Sequence, residues 1–194
     1  ARHRSKLVYL STDYVFDGLS GPYSESDRPG PINTYGKHKL MAERIILDSA
    51  PDSLIVRTSV VYGGRVKSLG AAGRLLCHLA SGLQLSLAAN QFNSPTLVSD
   101  IVVGIQALVQ SSKSGIYNIS GPSTHSRVEF ARSVADVFAL DSRLIRTVND
   151  FVQPGRAPRP LRCGLRIDKA AREIDFAPSS IACGLLQFCQ EATS

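Results

Sequence analysis

Lys6-Leu7-Val8-Tyr9-Leu10 is a short apolar run that ends in Ser11-Thr12-Asp13, two hydroxyls and a carboxylate. Such a run reads as a buried strand of a parallel sheet, where both faces are covered and no polar alternation is needed. Open α/β sheets bind ligands at the carboxyl ends of their strands, so Thr12 stands where a hydroxyl would meet a bound substrate. The chain goes on through Tyr14-Val15-Phe16-Asp17-Gly18. The turn signals Asp17-Gly18, Ser20-Gly21-Pro22 and Pro29-Gly30-Pro31 mark a loop over residues 11–33. That loop delivers Tyr35-Gly36-Lys37-His38-Lys39 to the start of a helix expected from Thr34 to Ser49. A tyrosine and a lysine four residues apart share one helix face. An ammonium beside a phenol favours the phenolate, which suits a tyrosine to proton transfer near neutral pH.

On this helix Leu40, Ile45 and Ile46 are expected inward, with Lys37, Glu43 and Arg44 toward solvent. A second strand is expected over Leu54–Gly63, a helix over Gly70–Ser81 and a short strand over Leu83–Ala88. A loop over residues 91–96 precedes an apolar helix, Val98–Gln110, and a third core strand, Gly115–Gly121. Ser126-Arg127-Val128-Glu129 is a capping box, so a helix starts there and runs to about Leu140. Leu144–Val148 reads as a small strand, and the proline- and arginine-rich stretch Asn149–Gly164 as irregular. Leu165–Lys169 enters a short helix, and a last amphipathic helix lies within Ser180–Glu191. Strand and helix alternate, which implies an α/β fold with a parallel sheet covered by helices. The sequence holds neither G-x-x-G-x-x-G nor G-x-G-x-x-G after a strand, the turn that cradles a pyrophosphate.

Composition narrows the function classes. With 43% hydrophobic residues, 194 residues support a core of one domain or one and a half. No apolar run reaches the roughly 18 residues of a membrane span, so no membrane role is expected. Cys77, Cys163, Cys183 and Cys189 show no C-x-x-C pairing and read as reduced thiols of a cytoplasmic protein, with no metal site expected. The net charge of +6 is scattered, except for Arg2, His3, Arg4 and Lys6 and for Arg156, Arg159, Arg162 and Arg166. Guanidinium forks suit phosphate, so the later group fits a nucleotide diphosphate. Without interleaved aromatics or a binding motif, nucleic acid is not an expected partner.

The segment S-T-D-Y-V-F-D-G, P-Y-S-E-S-D and P-I-N-T-Y-G-K-H-K-L-M-A-E resembles the extended short-chain dehydrogenase/reductases. Within them it is most similar to dTDP-4-dehydrorhamnose reductase and its relatives, which include the regulatory β subunit of methionine adenosyltransferase. The resemblance implies the C-terminal part of a Rossmann-like doubly wound parallel sheet with a small α/β substrate-binding region. Residues 1–63 and 97–121 would be a partial NAD(P)-binding domain, and residues 64–96 and 122–194 the substrate-binding region. Compared with the family, about 90 residues carrying the first mononucleotide half are expected ahead of Ala1. The first strand would then show an apolar, unprotected edge.

The implied chemistry is hydride transfer from NADPH or NADH to the 4-keto carbon of a nucleotide-linked 6-deoxysugar. By resemblance Tyr35 supplies the proton. Lys39 supports Tyr35 and bonds the nicotinamide ribose, and Thr12 bonds the carbonyl oxygen or tunes Tyr35. Tyr35, Lys39, Thr58 and Ser59 would face the cofactor; Thr12, Asp13, Val60, Gln91, Thr96 and Arg159 would face the substrate. Gln91, Ser94, Pro95 and Thr96 resemble the D-Q-x-x-S-P-T signature, and Arg159-Pro160 the R-P pair near the nucleotide. Two departures touch the sugar pocket. Val60 stands where the rhamnose-forming reductases carry tryptophan, and their Asn-Phe loop reads Gly63-Gly64-Arg65-Val66-Lys67-Ser68 here. These departures motivate one alternative, a non-catalytic regulatory subunit of the methionine adenosyltransferase β type; a further alternative is an inactive truncated piece. A homodimer or a synthetase is the expected protein partner.

Overall fold

The computed structural model describes residues 5–64, 70–149 and 157–193. Arg2, His3, Arg4, residues 65–68 of the altered loop and Arg156 lie outside the described residues. The chain runs β1 (Val8–Thr12), a tight turn (Asp13–Val15), α1 (Thr34–Ser49), β2 (Leu54–Thr58), β3 (Val61–Tyr62), α2 (Ala71–Ala80) and β4 (Leu85–Ala88). It continues β5 (Phe92–Asn93), β6 (Thr96–Leu97), α3 (Val98–Gln110), β7 (Gly115–Asn118), β8 (His125–Ser126), α4 (Arg127–Val137), β9 (Ile145–Val148), α5 (Asp168–Ile174) and α6 (Ile181–Thr193). No helix among the described residues is long and apolar enough to cross a membrane.

The three expected core strands form one parallel sheet in the order β1-β2-β7. Its register sets Val8 opposite Leu54 and Thr12 opposite Thr58, so two threonines end neighbouring strands side by side. Leu54, Ile55 and Val56 in the central strand are fully buried. Strand β1 departs from the buried reading: it lies at the sheet edge, and Leu7 and Leu10 are about half exposed (47% and 49%). Leu54, Val56, Ile101, Leu108, Tyr117 and Ile119 pack with Ala170 and Phe176 into one core between the sheet, α3 and α5. A second cluster joins Tyr62 and Leu97 to Phe130, Val134, Leu185 and Phe188, which fastens β3 and β6 to α4 and α6.

Two local expectations are corrected. The single strand expected over Leu54–Gly63 breaks after Thr58, and Val61–Tyr62 pairs instead with Thr96–Leu97. The break has a cause: the Ser59 hydroxyl is drawn to Asp13 at 2.6 Å, while the Val60 carbonyl accepts from the Thr96 amide at 3.0 Å. The loop over residues 91–96 contains β5 and β6, strands of two residues that exist only through their partners β8 and β3.

Helix α1 carries the third correction. Glu43 is buried at 1% exposure, whereas Ile45 is 54% exposed. Arg57 of β2 is also buried at 1%, and its Nε and Nη2 donate to Glu43 Oε1 and Oε2 at 3.0 and 2.6 Å. The Ser11 hydroxyl of β1 donates to the same Oε1. The Arg57 guanidinium also lies over the Phe16 ring, 5.1 Å from its centroid. A charged residue inside a strand needs a counter-charge more than the helix needs an inward isoleucine. Removing one partner of a buried pair strands the other. Glu43→Ala is therefore expected to lower the unfolding free energy by about 3–5 kcal/mol in urea titration. Adding Arg57→Met should recover most of that loss; a double variant no more stable than Glu43→Ala alone would show that the pair is not the reason.

Candidate active site

Thr12 closes β1, and the tight turn that follows folds Asp13 inward to 2% exposure. The Thr12 hydroxyl accepts from the Tyr14 amide at 3.2 Å and donates to Asp13 Oδ1 at 3.1 Å. Asp13 Oδ2 accepts from the Ser59 hydroxyl at 2.6 Å and from Asn93 Nδ2 at 3.2 Å. The Cys163 thiol donates to the Asp13 backbone carbonyl at 3.5 Å. Three other stretches of chain thus converge on one residue. Burial pushes the Asp13 carboxyl up from the usual 3.8 to about 6, against the pull of its Ser59, Asn93 and Thr12 hydrogen bonds.

Helix α1 starts beside this turn. Asn33 caps it, accepting from the Gly36 amide at 2.8 Å, and its Nδ2 donates to the Pro158 carbonyl at 3.0 Å. Gly36 is required here: a Cβ would come within 2.1 Å of the Tyr14 carbonyl. That close approach brings Tyr35 edge-on to Tyr14 with ring centroids 5.9 Å apart, while Tyr35 remains 53% exposed. One turn along, Lys39 Nζ donates to the Leu10 carbonyl at 2.8 Å and sits 4.7 Å from the Tyr9 ring centroid. The lysine therefore grips the backbone of β1 just ahead of Ser11 and Thr12.

A cleft of about 550 Å³ opens next to Tyr14. Val60, Gln91 and Arg159 line it, as do Arg74 of α2, Arg127 of α4 and the apolar Leu75, Pro95 and Phe130. Arg127 Nη1 donates to Gln91 Oε1 at 3.0 Å. Burial and then the neighbouring Arg159 charge lower the Arg127 pKa from its ordinary value, so cationic charge is crowded in this cleft. Burial, seconded by the Asp13 carboxylate, raises the Tyr14 phenol, which stays neutral.

The structure gathers the sequence-derived residues into two groups. Val60, Gln91 and Arg159 line the cleft. Thr12, Asp13 and Ser59 form a hydrogen-bonded cluster at the strand ends, with Tyr35 and Lys39 on the adjoining helix. Thr58 ends β2 opposite Thr12, and its Oγ1 is buried without a partner among the described residues. Thr96 is fully buried and serves the backbone, donating to the Ser94 carbonyl at 2.8 Å and accepting from the Gly121 amide at 3.1 Å. Sequence reasoning missed Tyr14, Arg74, Asn93 and Arg127. Arg127 was visible inside the capping box, where its neighbours explained the motif and its own side chain went unread.

The sequence matches the family described as RmlD substrate binding domain over residues 1–194. It is 36% identical over 162 residues to methionine adenosyltransferase 2 subunit beta of Xenopus laevis, covering 79% of this chain and 48% of that protein. It is 32% identical over 170 residues to dTDP-4-dehydrorhamnose reductase of Mycolicibacterium smegmatis, covering 86% of this chain and 51% of that protein. The chain spans about half the length of these curated relatives. The crystal structure of dTDP-4-dehydrorhamnose reductase from Bacillus anthracis in complex with NADP superposes with a TM-score of 0.88 at 30% identity, over 97% of this chain and 66% of that one.

The raised Asp13 carboxyl makes stability depend on pH. Its folded value, about 6, exceeds the unfolded 3.8, so folding binds the proton more tightly. The associated stabilisation is complete below pH ~4 and lost as pH rises through ~6, about 3 kcal/mol in all. Asp13→Asn removes the titration, and its packing cost is common to both ends of the range. In urea unfolding, wild type minus variant should therefore fall by about 3 kcal/mol between pH ~4 and pH ~7.5. A difference independent of pH would exclude the shift.

Proposed function

Starting from a chain that belongs to the RmlD substrate binding domain family, we propose that it forms the catalytic and substrate half of a nicotinamide-dependent reductase. The substrate is the 4-keto group of a nucleotide-linked 6-deoxysugar, of the kind named in dTDP-4-dehydrorhamnose reductase. One observation carries the reading: the arginine-lined cleft opens against Tyr14, and Tyr14 meets Tyr35 of the Tyr35/Lys39 helix. Arg74, Arg127 and Arg159 repel one another across the cleft, and a diphosphate relieves that repulsion. Gln91 and Val60 then face the sugar.

As hydride reaches the keto carbon, its oxygen must gain a proton. Tyr35 donates that proton, Lys39 supports the charge left behind, and Thr12 bonds the same oxygen. The chain's residues fit the nicotinamide end of a cofactor. Thr58 offers a buried hydroxyl without a partner among the described residues, at a carboxyl strand end beside Thr12. Lys39 already presents its ammonium to an oxygen at that edge. When bound, NADPH or NADH supplies the hydride. Ser59, held by Asp13, backs this wall from behind. We assign residues 1–63 and 97–121 to the cofactor side and residues 64–96 and 122–194 to the sugar side, in a cytoplasmic protein. Thr96 holds the loop between them, through its two backbone bonds.

In the protein that carries this chain with a complete cofactor site, Tyr35→Phe should abolish NADPH oxidation with the 4-keto sugar while cofactor binding weakens only modestly. Unchanged turnover would remove Tyr35 as the acid. Arg127→Ala should raise the KM for the nucleotide sugar about tenfold or more, the size of one lost charge-assisted bond.

The methionine adenosyltransferase relative, together with Val60, favours a second reading: a regulatory subunit that keeps the fold and acts by protein contact. On that reading the chain co-elutes with a methionine adenosyltransferase on size exclusion at micromolar concentration. Separate elution, with turnover of the sugar, decides for the reductase.

A further inference from the structure

The Thr12 hydroxyl is already committed. It accepts one hydrogen bond from the Tyr14 amide and spends its proton on Asp13 Oδ1. With Asp13 ionised, what remains on Thr12 Oγ1 for a ligand is a lone pair, so Thr12 can act only as an acceptor. An acceptor cannot bond a ketone oxygen, yet it suits the hydroxyl that reduction leaves.

Protonation of Asp13 reverses this, and the geometry decides where the proton goes. Oδ2 already accepts from Ser59 and Asn93, and the Asn93 amide has no means of accepting in return. A proton on Oδ2 would turn the buried Ser59 hydroxyl, which already accepts from the Ser94 amide, away from Asp13, whereas on Oδ1 it meets Thr12 at 3.1 Å, so we place it on Oδ1. It donates to Thr12 Oγ1, both lone pairs of that oxygen are then filled, and the threonine proton turns outward. We propose that Asp13 is a positioning residue that sets whether Thr12 donates to a ketone or accepts from an alcohol. The inference rests on the reading that Thr12 faces the reacting oxygen.

The surroundings allow such a proton to come and go. The groups packed around Asp13 are the neutral Ser59, Asn93 and Thr12, with Tyr14 of its own turn and Cys163 of the facing segment as titratable neighbours. Burial holds both the Tyr14 phenol and the Cys163 thiol above their ordinary values, so both stay neutral and Asp13 titrates by itself. Its value near 6 places the change in the physiological range.

The test uses the full chain with two probes, dTDP-4-dehydrorhamnose and dTDP-rhamnose, and calorimetric Kd values from pH ~5 to pH ~8. In wild type the preference for the ketone over the alcohol should fall about fivefold as pH rises through ~6, the worth of one net hydrogen bond. Asp13→Asn, whose amide donates to Thr12 as the acid would, should keep the low-pH preference throughout the range. A ratio independent of pH in wild type, or unchanged pH dependence in Asp13→Asn, overturns the proposal. A ligand-free readout separates this outcome from failure of the substrate reading. The Thr12 methyl resonance should titrate with the Asp13 carboxyl midpoint in wild type and not in Asp13→Asn. A Thr12 resonance that ignores that midpoint overturns the switch, whether or not either sugar binds. Failure of both sugars to bind, with the Thr12 response intact, removes only the nucleotide-sugar reading.

Discussion

A guanidinium in the middle of a parallel sheet constrains everything around it. Arg57 lies in the central strand β2, between a strand carrying Ser11 and one carrying Asn118. Its charge can be met only by a carboxylate from the covering helix, and Glu43 supplies it through two bonds. The third nitrogen, Nη1, has no partner among the described residues, so the pair is not perfectly satisfied. Buried pairs of this kind often add little net stability over an apolar replacement. Their effect is on register. Moving helix α1 by one residue rotates each side chain by about 100° and would leave two charges without partners. Lys39 and Tyr35 stand one and two turns ahead of Glu43 on the same face, so fixing Glu43 fixes them. Lys39 accordingly meets the Leu10 carbonyl at 2.8 Å.

The two buried carboxylates near the site have opposite surroundings. Glu43 meets a guanidinium and serves as a fixed anchor between helix and sheet. Asp13 meets only neutral donors, and desolvation outweighs their pull, so its proton affinity rises. Environments that give neighbouring acidic groups different tasks recur wherever proton chemistry runs near neutral pH. The strand-end Thr12, beside Thr58 in the ladder, bonds Asp13 directly.

Much of this was legible in the chain. Leu54-Ile55-Val56 reads as a central strand because β-branched and apolar residues leave no polar face, and Ser126 with Glu129 announces α4. Tyr35 and Lys39 are found by their spacing only together with the strand-end Ser11-Thr12-Asp13 ahead of them and the resemblance of the whole segment. Glu43 was not, because helical periodicity ranks residues by polarity and cannot see that strand β2 holds an arginine facing inward. Strands β5 and β6 escaped for a related reason: two residues carry no period, and their pairing with β8 and β3 is decided by the tertiary fold. Asp13 reads as a substrate contact through the family resemblance, while two of its three side-chain hydrogen bonds come from Ser59 and Asn93, 46 and 80 residues away. No local pattern encodes separations of that size.

The site is therefore built from parts of unequal rigidity. Tyr35, Lys39 and Thr12 sit on elements locked by buried polar bonds, where a change of one residue breaks several contacts. The cleft wall is different: Val60, Arg127 and Arg159 come from three separate segments, with Arg127 tied to Gln91 and apolar packing such as Phe130 against Tyr62 behind them. Apolar contacts tolerate substitutions that polar networks do not. The small Val60 side chain lines the cleft, and a change there leaves the bonds of Asp13, Glu43 and Arg57 in place. On the proposed reading, ligand choice can thus drift on this scaffold while Tyr35, Lys39 and Thr12 stay in place. Val60 on that reading therefore bears on which sugar or partner is taken, while Tyr35 and Lys39 are held by the network around Glu43.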